Sequence, residues 1–118
     1  MQLVQAIRIQ IEYYFSVPNL SRDHYLRGVM DGDGYVALGE INNFRRIRNM
    51  LANAHLMMEA IMSSTQIELL KTDVVSAILA NPSSLLSVSE NVIFETKIRS
   101  VHDRSLWNAP VALSDESS

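Results

Sequence analysis

The sequence predicts an α+β domain in which several helices precede a small antiparallel sheet. Apolar residues recur at intervals of three and four through much of the chain, as they do on the buried face of a helix. A strong turn signal, Asp-Gly-Asp-Gly at 31–34, separates these segments. Near the end of the chain, residues 92–99 are rich in β-branched side chains, which is typical of a strand.

The first half of the chain is predicted to be mainly helical. Its predicted elements, in order, are a helix over 3–16, a helix over 22–30, a short strand over 35–38 and a helix over 39–50. Pro18 is predicted to end the first helix, because proline lacks the N–H that a helix interior needs. Ser21 is the predicted cap of the second helix, and Asp23 lies in its first turn, where the helix dipole favours an acid.

The second half is predicted to alternate helices and strands. Its predicted elements are a helix over 54–63 capped by Asn53, a strand over 66–71, a helix over 73–80 and a strand over 92–99. The residues alone do not decide whether 66–71 is a strand or part of a helix. Thr65 and Glu68 match a capping box, which favours a helix running on to residue 80. Helices followed by a two-stranded hairpin are the layout of a winged helix, a relative of the helix-turn-helix.

Composition sets the class of protein and its expected location. The chain has 118 residues, enough for one domain with one core. It contains no cysteine and its three histidines lie far apart, so neither a disulfide nor a metal site is predicted. No apolar run approaches the ~20 residues of a membrane span, and the N-terminus lacks a signal-peptide pattern. We therefore expect a monomeric intracellular domain, cytoplasmic with a nuclear location also open, and no contact with a membrane.

The sequence has no pattern typical of an enzyme. It contains no nucleophile elbow, no phosphate-cradling glycine loop and no set of metal ligands. Carboxylates are present in the first half of the chain, but none is distinguishable as a general acid. We therefore expect a binding module that is not an enzyme and uses no cofactor.

The charge distribution argues against broad binding to a phosphate backbone. The net charge is -3, whereas such binding usually needs a basic surface. Arg45, Arg46 and Arg48 nevertheless form a local basic cluster. The acidic tail, 114–118, is predicted to be disordered. A nucleic-acid site in this chain would therefore be small and would depend on stacking and hydrogen bonds.

Three consecutive aromatic residues, Tyr13, Tyr14 and Phe15, are the most unusual feature of the first predicted helix. Successive side chains on a helix point in different directions, so these rings cannot all enter one core. Tyr13 and Tyr14 share a helix face with Gln10. Rings left outside, beside an amide and the Asp23 carboxylate, suit the stacking of flat groups with polar edges, such as nucleobases.

The same stretch resembles the La motif of La and La-related proteins. The resemblance begins with the run Gln10-Ile11-Glu12-Tyr13-Tyr14-Phe15-Ser16, then Asn19-Leu20, Arg22-Asp23 and Tyr25-Leu26. It continues in the family's order through Met30-Asp31, Gly34-Tyr35-Val36, Phe44-Arg45-Arg46-Ile47, Met58-Glu59-Ala60-Ile61, Ser64, Glu68-Leu69 and Lys97-Ile98-Arg99. It covers about residues 5–99, and its specificity comes from the occurrence of all these pieces in order.

The resemblance implies a winged helix whose first wing strand lies at 66–71, which is why we predict a strand there. The family's two wing strands are separated by a few residues, whereas here about 72–91 intervene. An insertion in the wing, with its own short helix, is therefore predicted. We accordingly expect a La motif over 3–100 and a C-terminal extension over 101–118.

The resemblance also implies recognition of a short single-stranded RNA 3′ end, A- or U-rich, in mRNA or small-RNA stability or in translation. The positions that match the family's binding residues are Gln10, Tyr13, Tyr14, Asp23, Tyr25 and Phe44. A carboxylate such as Asp23 can accept hydrogen bonds from both hydroxyls of a terminal ribose, and Gln10 can read a base edge. The expected stacking rings are Tyr25 and Phe44, followed by Tyr13. The expected phosphate contacts are Arg45, Arg46 and Arg48.

Other interpretations stay open from the residues alone. Without the resemblance, Asp23 is most simply a charge at a helix N-terminus, Phe44 a core residue, and the arginine cluster a solvated face. The chain could instead be a winged-helix domain that has lost RNA binding and docks a protein through its wing insertion. A reader of duplex DNA that uses the helix over 39–50 is a third interpretation, which one short basic cluster makes less favoured.

Overall fold

Short helices with three brief strands among them make up the fold. The structure is a computed structural model, and it describes residues 3–107. The first elements are α1 (Leu3–Tyr14), α2 (Val17–Leu20), α3 (His24–Gly28) and β1 (Val36–Ala37). The middle of the chain forms α4 (Leu38–Asn42), α5 (Arg45–Asn49), α6 (Ala54–Met62) and β2 (Ile67–Leu69). The last elements are α7 (Asp73–Ala80), a 3₁₀ segment (Pro82–Ser87), α8 (Glu90–Glu95), β3 (Lys97–Ser100) and a second 3₁₀ segment (Arg104–Leu106).

The strand β3 lies at the centre of a three-stranded antiparallel sheet with the order β1-β3-β2. Val36 pairs with Ile98 from one side and Leu69 pairs with it from the other. Ile98 is fully buried, so the central strand anchors the sheet in the core. The predicted α+β class with a small antiparallel sheet is confirmed. The sheet has one strand more than a two-stranded hairpin because β1 joins it.

The main helix–helix contact of the core is that of α1 with α6. The helix α1 directs Ile7, Ile11 and Tyr14 inward, at the spacing that places side chains on one helix face. Met57 and Met58 of α6 are fully buried in the same cluster. Burial of a large apolar side chain contributes about 1.5–3 kcal/mol relative to its exposure. The core therefore fixes the helix whose C-terminal end carries the aromatic run.

The strand predicted over 92–99 is wrong in its first half. Residues 92–95 belong to α8, and only Lys97–Ser100 form β3. Ser89 caps α8, because its side chain accepts a hydrogen bond from the N–H of Val92. Ile93 is buried on the inner face of this helix. The β-branched composition favours a strand, but the cap and the burial of one helix face outweigh that preference.

The helix predicted over 39–50 is divided into α4 and α5. The break falls at Asn43 and Phe44, where Phe44 has the extended dihedrals φ -70° and ψ 135°. Ile41 and Ile47 are buried on either side of it. The apolar spacing thus continues across the break, which is why periodicity does not reveal it. The extended residue presents its ring to Tyr14, with centroids 4.7 Å apart.

Two boundaries in the first half also differ from the prediction. The helix α1 ends at Tyr14, and Pro18 lies in the first turn of a further short helix, α2, where a missing N–H breaks no hydrogen bond. Asp23, and not Ser21, caps α3, because its carboxylate accepts a hydrogen bond from the N–H of Leu26 at 2.9 Å. Ser21 lies at the C-terminal end of α2.

The elements between residues 53 and 80 are confirmed. Asn53 caps α6, and α7 covers the predicted range 73–80. The strand β2 forms where the capping box would have favoured a helix. Glu68 pairs instead with Arg99 of β3, with 2.6 Å between Oε1 and Nε.

The segment between β2 and β3 is folded against the core. It contains α7, the first 3₁₀ segment and α8, and α8 packs against α4 and α6. Its buried apolar residues are Val75, Ile78, Leu85 and Ile93. The predicted insertion over 72–91 therefore contributes to the core, and its status as an insertion relative to the family stays a prediction. The predicted disordered tail, 114–118, lies outside the described residues.

Between residues 3 and 107, no helix is both long enough and apolar enough to cross a bilayer. In the same range, no group of three His, Asp or Glu side chains is placed to hold a metal ion. The chain has no cysteine, so the fold is supported by packing and hydrogen bonds without disulfides.

Candidate nucleic-acid interface

An open groove lies where the end of α1, the start of α3 and the start of α5 meet. Its volume is about 480 Å³. The residues that line it are Tyr14, Asp23, Tyr25, Phe44, Arg45 and Arg46. Every one of them is a predicted site residue. The fold therefore brings side chains from three separate stretches of the sequence into one concave surface.

The aromatic rings of the groove form a row. The Tyr14 and Phe44 rings meet edge to face, with centroids 4.7 Å apart. The Tyr25 ring lies 5.9 Å from that of Phe44, and the Tyr13 ring lies 6.3 Å from that of Tyr14 at the opposite end. Such tilted and edge-to-face pairs contribute about 0.5–1.5 kcal/mol beyond the burial of their area. The rings therefore support one another in fixed orientations.

The ends of this row are accessible, whereas its middle joins the core. Tyr25 is 59% exposed and Tyr13 is 46% exposed. Tyr14 is buried, and Phe44 is half-buried against the core. A flat ligand could thus stack on Tyr25 beside Phe44. Tyr13 lies next to the groove and not in its lining, and its hydroxyl accepts a hydrogen bond from Arg22 at 3.1 Å.

The Asp23 carboxylate lines the groove with both oxygens already hydrogen-bonded. Oδ1 accepts from the N–H of Leu26 at 2.9 Å, and Oδ2 accepts from the side-chain amide of Asn19 at 3.2 Å. A carboxylate has about four acceptor positions, so about two remain for a ligand. Asp23 is therefore a helix cap and still offers the negative oxygens that recognition of hydroxyls requires.

Asn19 was not predicted as a site residue, yet it connects two of them. Its buried side-chain nitrogen donates to the carbonyl oxygen of Tyr14 at 2.8 Å and to Oδ2 of Asp23 at 3.2 Å. The sequence offered one signal, which was the place of Asn19 in the Asn19-Leu20 piece of the family pattern, four residues before Asp23. That signal is weak, because the contact depends on how α2 turns between α1 and α3.

The Tyr14 hydroxyl lies among polar side chains. Burial raises the pKa of this phenol above its ordinary value. The Arg46 charge and the Gln10 side chain oppose that rise, and the Asp23 charge adds to it. The phenol is therefore protonated at neutral pH and can donate a hydrogen bond. Gln10 is outside the groove lining but lies within reach of Tyr14.

The arginine cluster is exposed on α5, and two of its members face the groove. Arg45 and Arg46 line the groove, whereas Arg48 does not. Within residues 3–107, none of the three makes an ion pair. Unpaired guanidinium groups at the edge of an aromatic groove can contact phosphates while bases stack inside.

A small sheet packed against several helices, with a cation-edged aromatic groove at one side, defines a winged-helix domain with a candidate nucleic-acid interface. The fold matches that of the solved La autoantigen N-terminal domain with a TM-score of 0.59. The match covers 87% of this chain and 95% of that one, at 24% sequence identity. At this identity the likeness concerns the fold.

The family model of the La domain matches residues 7–63 of this chain. The resemblance to the La motif drawn from the sequence motifs is therefore confirmed over this range. All the residues that line the groove fall within the matched range.

Three relatives illustrate the sequence similarity. La-related protein 1B of Arabidopsis thaliana is 42% identical over 67 residues, which are 57% of this chain and 15% of that protein. La-related protein 4 of Mus musculus is 33% identical over 66 residues, 56% of this chain and 9% of that protein. RNA-binding protein SRO9 of Saccharomyces cerevisiae is 44% identical over 50 residues, 42% of this chain and 12% of that protein. The matched segments thus span a small part of each relative.

Proposed function

We propose that this domain binds the 3′ end of a short single-stranded RNA in the groove between α1, α3 and α5. The La domain match and the La-related relatives support an RNA-binding role, and they favour a binding module over an enzyme. Recognition of an A- or U-rich 3′ end and a cytoplasmic role in mRNA or small-RNA stability or in translation are the finer parts of the proposal.

The single observation that carries the proposal is the presence of Asp23 in the same groove as an accessible aromatic ring. Tyr25 offers a face on which a base of any identity can stack. The free acceptor positions of Asp23 fit the adjacent 2′ and 3′ hydroxyls that only the 3′-terminal ribose of RNA carries. Arg45 and Arg46 line the same groove, and their guanidinium groups would contact phosphates of the bound strand.

Fluorescence anisotropy with labelled oligonucleotides tests this function. We expect saturable binding to oligo(A) or oligo(U) with a free 3′-hydroxyl, and weaker binding when the last nucleotide carries a 3′-phosphate. A duplex of the same RNA serves as control and should bind weakly, because its bases are not free to stack. Affinity that is independent of the 3′-end chemistry would show that the domain binds along the strand and not at its end.

A second candidate is a protein-docking domain that uses the segment between β2 and β3. One surface feature favours it. Leu86 is 81% exposed and lies beside Met62 and Leu85 in an apolar concavity of about 370 Å³. Absence of saturable RNA binding at low salt would favour this candidate over the first.

Recognition of duplex DNA is less favoured than the sequence suggested. The helix predicted over 39–50 consists of two short helices, and the basic residues lie on the five-residue α5. A helix-turn-helix protein lays its recognition helix in the major groove, and a helix of five residues presents little more than one turn there. Stronger binding to duplex DNA than to single-stranded RNA would reverse this ranking.

A further inference from the structure

Asn19 makes a hydrogen bond to each of two residues that line the groove. Its side-chain nitrogen donates to the carbonyl oxygen of Tyr14 at 2.8 Å and to Oδ2 of Asp23 at 3.2 Å. Tyr14 belongs to α1, and Asp23 caps α3. Asn19 therefore links the helix that carries the aromatic run to the helix that begins at the acid.

The surroundings of Asn19 hold its amide in place. The residue is 7% exposed. Its backbone oxygen accepts hydrogen bonds from the N–H groups of Arg22 at 3.1 Å and of Asp23 at 2.8 Å. A buried, short side chain whose two N–H donors are both used has little freedom to move.

The second oxygen of Asp23 depends on this amide. Oδ1 is held by the N–H of Leu26, which is the helix cap. Among the described residues, Oδ2 accepts its hydrogen bond from Asn19. Without Asn19, the carboxylate would keep its cap but could rotate about its Cβ–Cγ bond. Two ribose hydroxyls need two acceptor positions at a fixed angle. Rotation of the carboxylate would therefore weaken the binding of a ribose with both hydroxyls more than the binding of a sugar with only one.

We propose that Asn19 is a positioning residue that holds the Asp23 carboxylate in the orientation that recognises the ribose diol. This inference rests on the proposed function. Asn19 does not line the groove, so it acts through Asp23 and not by touching the RNA. It thereby determines the preference of the domain for a terminal ribose over a terminal deoxyribose.

The test compares two oligo(A) probes that differ in one atom. One ends in a ribonucleotide with both hydroxyls, and the other ends in a 2′-deoxynucleotide. Wild-type chain should prefer the first probe. Asn19→Ala should reduce that preference roughly tenfold, as expected for loss of a charge-assisted hydrogen bond, and should change affinity for the deoxy-ended probe by less than about threefold.

Ser16→Ala is the matched control, because Ser16 accepts a hydrogen bond from the backbone N–H of Asn19. This substitution leaves both hydrogen bonds of the Asn19 side chain in place. This variant should keep the wild-type preference. If Asn19→Ala lowers the affinity for both probes by the same factor, the role of Asn19 is purely structural and the inference is overturned. A wild-type chain that binds but does not distinguish the probes would refute the ribose role of Asp23, and the inference with it. If Asn19→Ala does not fold, Asn19→Ser replaces it, because a serine hydroxyl can donate to only one of the two partners of Asn19. The measured quantity is again the ratio of the affinities for the ribo-ended and the deoxy-ended probe.

Discussion

The rings of Tyr25 and Phe44 lie 5.9 Å apart, centroid to centroid, and are tilted by 57°. A base inserted between two rings needs them parallel and about 7 Å apart, which is twice the contact distance of carbon atoms. The observed pair is too close and too tilted for that arrangement. A base would instead stack on the exposed Tyr25 ring and meet the edge of Phe44. The two rings therefore make unequal contributions.

Tyr25→Ala should weaken RNA binding by about 1–3 kcal/mol, the value of one lost base stack. The fold should persist, because the ring is 59% exposed and adds little to the core. Fluorescence anisotropy measures the first quantity and thermal melting the second. Tyr25→Phe keeps the ring and should bind as wild type does. An equal loss for both variants would mean that the hydroxyl, and not the ring, contacts the RNA.

Phe44→Ala should lower both RNA affinity and stability, because the ring is half-buried and packs on Tyr14 at 4.7 Å. Phe44→Leu preserves most of the buried area but has no π face. We expect Phe44→Leu to recover most of the melting temperature while RNA affinity stays low. Recovery of affinity together with stability would show that Phe44 serves the core alone.

Asp23→Asn should weaken binding to RNA with a free 3′-hydroxyl by about 1.5–3 kcal/mol, since hydrogen bonds to a charged acceptor are lost. The helix cap should survive, because asparagine is as good an N-cap as aspartate. Titration with 3′-hydroxyl and 3′-phosphate RNA, paired with thermal melting, separates these effects. Wild-type affinity for both RNAs in this variant would exclude a role of the carboxylate in binding.

The arginines are distinguished by salt dependence. Arg46→Gln should reduce the slope of log affinity against log salt by about 0.7, the value for one phosphate contact on a single strand. Arg48 is on the same helix but outside the groove lining, so Arg48→Gln is the matched comparison and should change the slope less. Equal slopes for the two variants would show that α5 attracts RNA as a whole and not through the groove.

The fold was predictable where local signals and packing agree. Asn53 is a good cap before an apolar periodic segment, and α6 begins after it. Residues 92–95 show the opposite case. Their β-branched composition favours a strand, but Ser89 caps a helix there and Ile93 turns inward. Composition reports a preference of about 1 kcal/mol at most, which burial of one large side chain can exceed.

Six of the nine predicted site residues meet in one groove, and the geometry of that groove was not predictable from the sequence. The motif order indicated which side chains to consider, and the groove brings together Tyr14, Asp23, Tyr25, Phe44, Arg45 and Arg46. The break before α5 turns Phe44 toward Tyr14, and no periodic pattern signals it. The bridge made by Asn19 likewise depends on the turn of α2, which the predicted elements did not include.

Leu51 has a left-handed backbone with φ 56°, directly after the end of α5. Side chains with a Cβ are strained in this region, and glycine is not. Leu51 is 85% exposed, so its side chain contributes little burial. Leu51→Gly should raise stability to unfolding by about 1 kcal/mol, whereas Leu51→Ala should leave it nearly unchanged. Urea denaturation of both variants decides this, and equal stabilities would contradict the strain.

Asp31 should make the stability of this domain depend on pH in acid. Its Oδ1 accepts hydrogen bonds from the N–H groups of Tyr35 at 3.0 Å and of Asp33 at 2.9 Å, and Oδ2 lies 3.6 Å from Nζ of Lys97. The Tyr35 hydrogen bond is the main cause that lowers the pKa of Asp31 below its ordinary 3.8. The folded state therefore binds this proton less readily than the unfolded chain does.

The resulting stability is complete above the ordinary pKa of Asp31 and is lost as the pH falls through the lower folded value. Asp31→Asn keeps an oxygen that can accept hydrogen bonds from the two N–H groups, but the asparagine side chain does not titrate. We expect its unfolding midpoint to fall less steeply than that of wild type below about pH 4. Asp31→Ala lacks the acceptor and should be less stable at every pH. Chemical denaturation across the acid range measures all three chains, and an Asp31→Asn curve as steep as that of wild type would assign the acid sensitivity to other carboxylates.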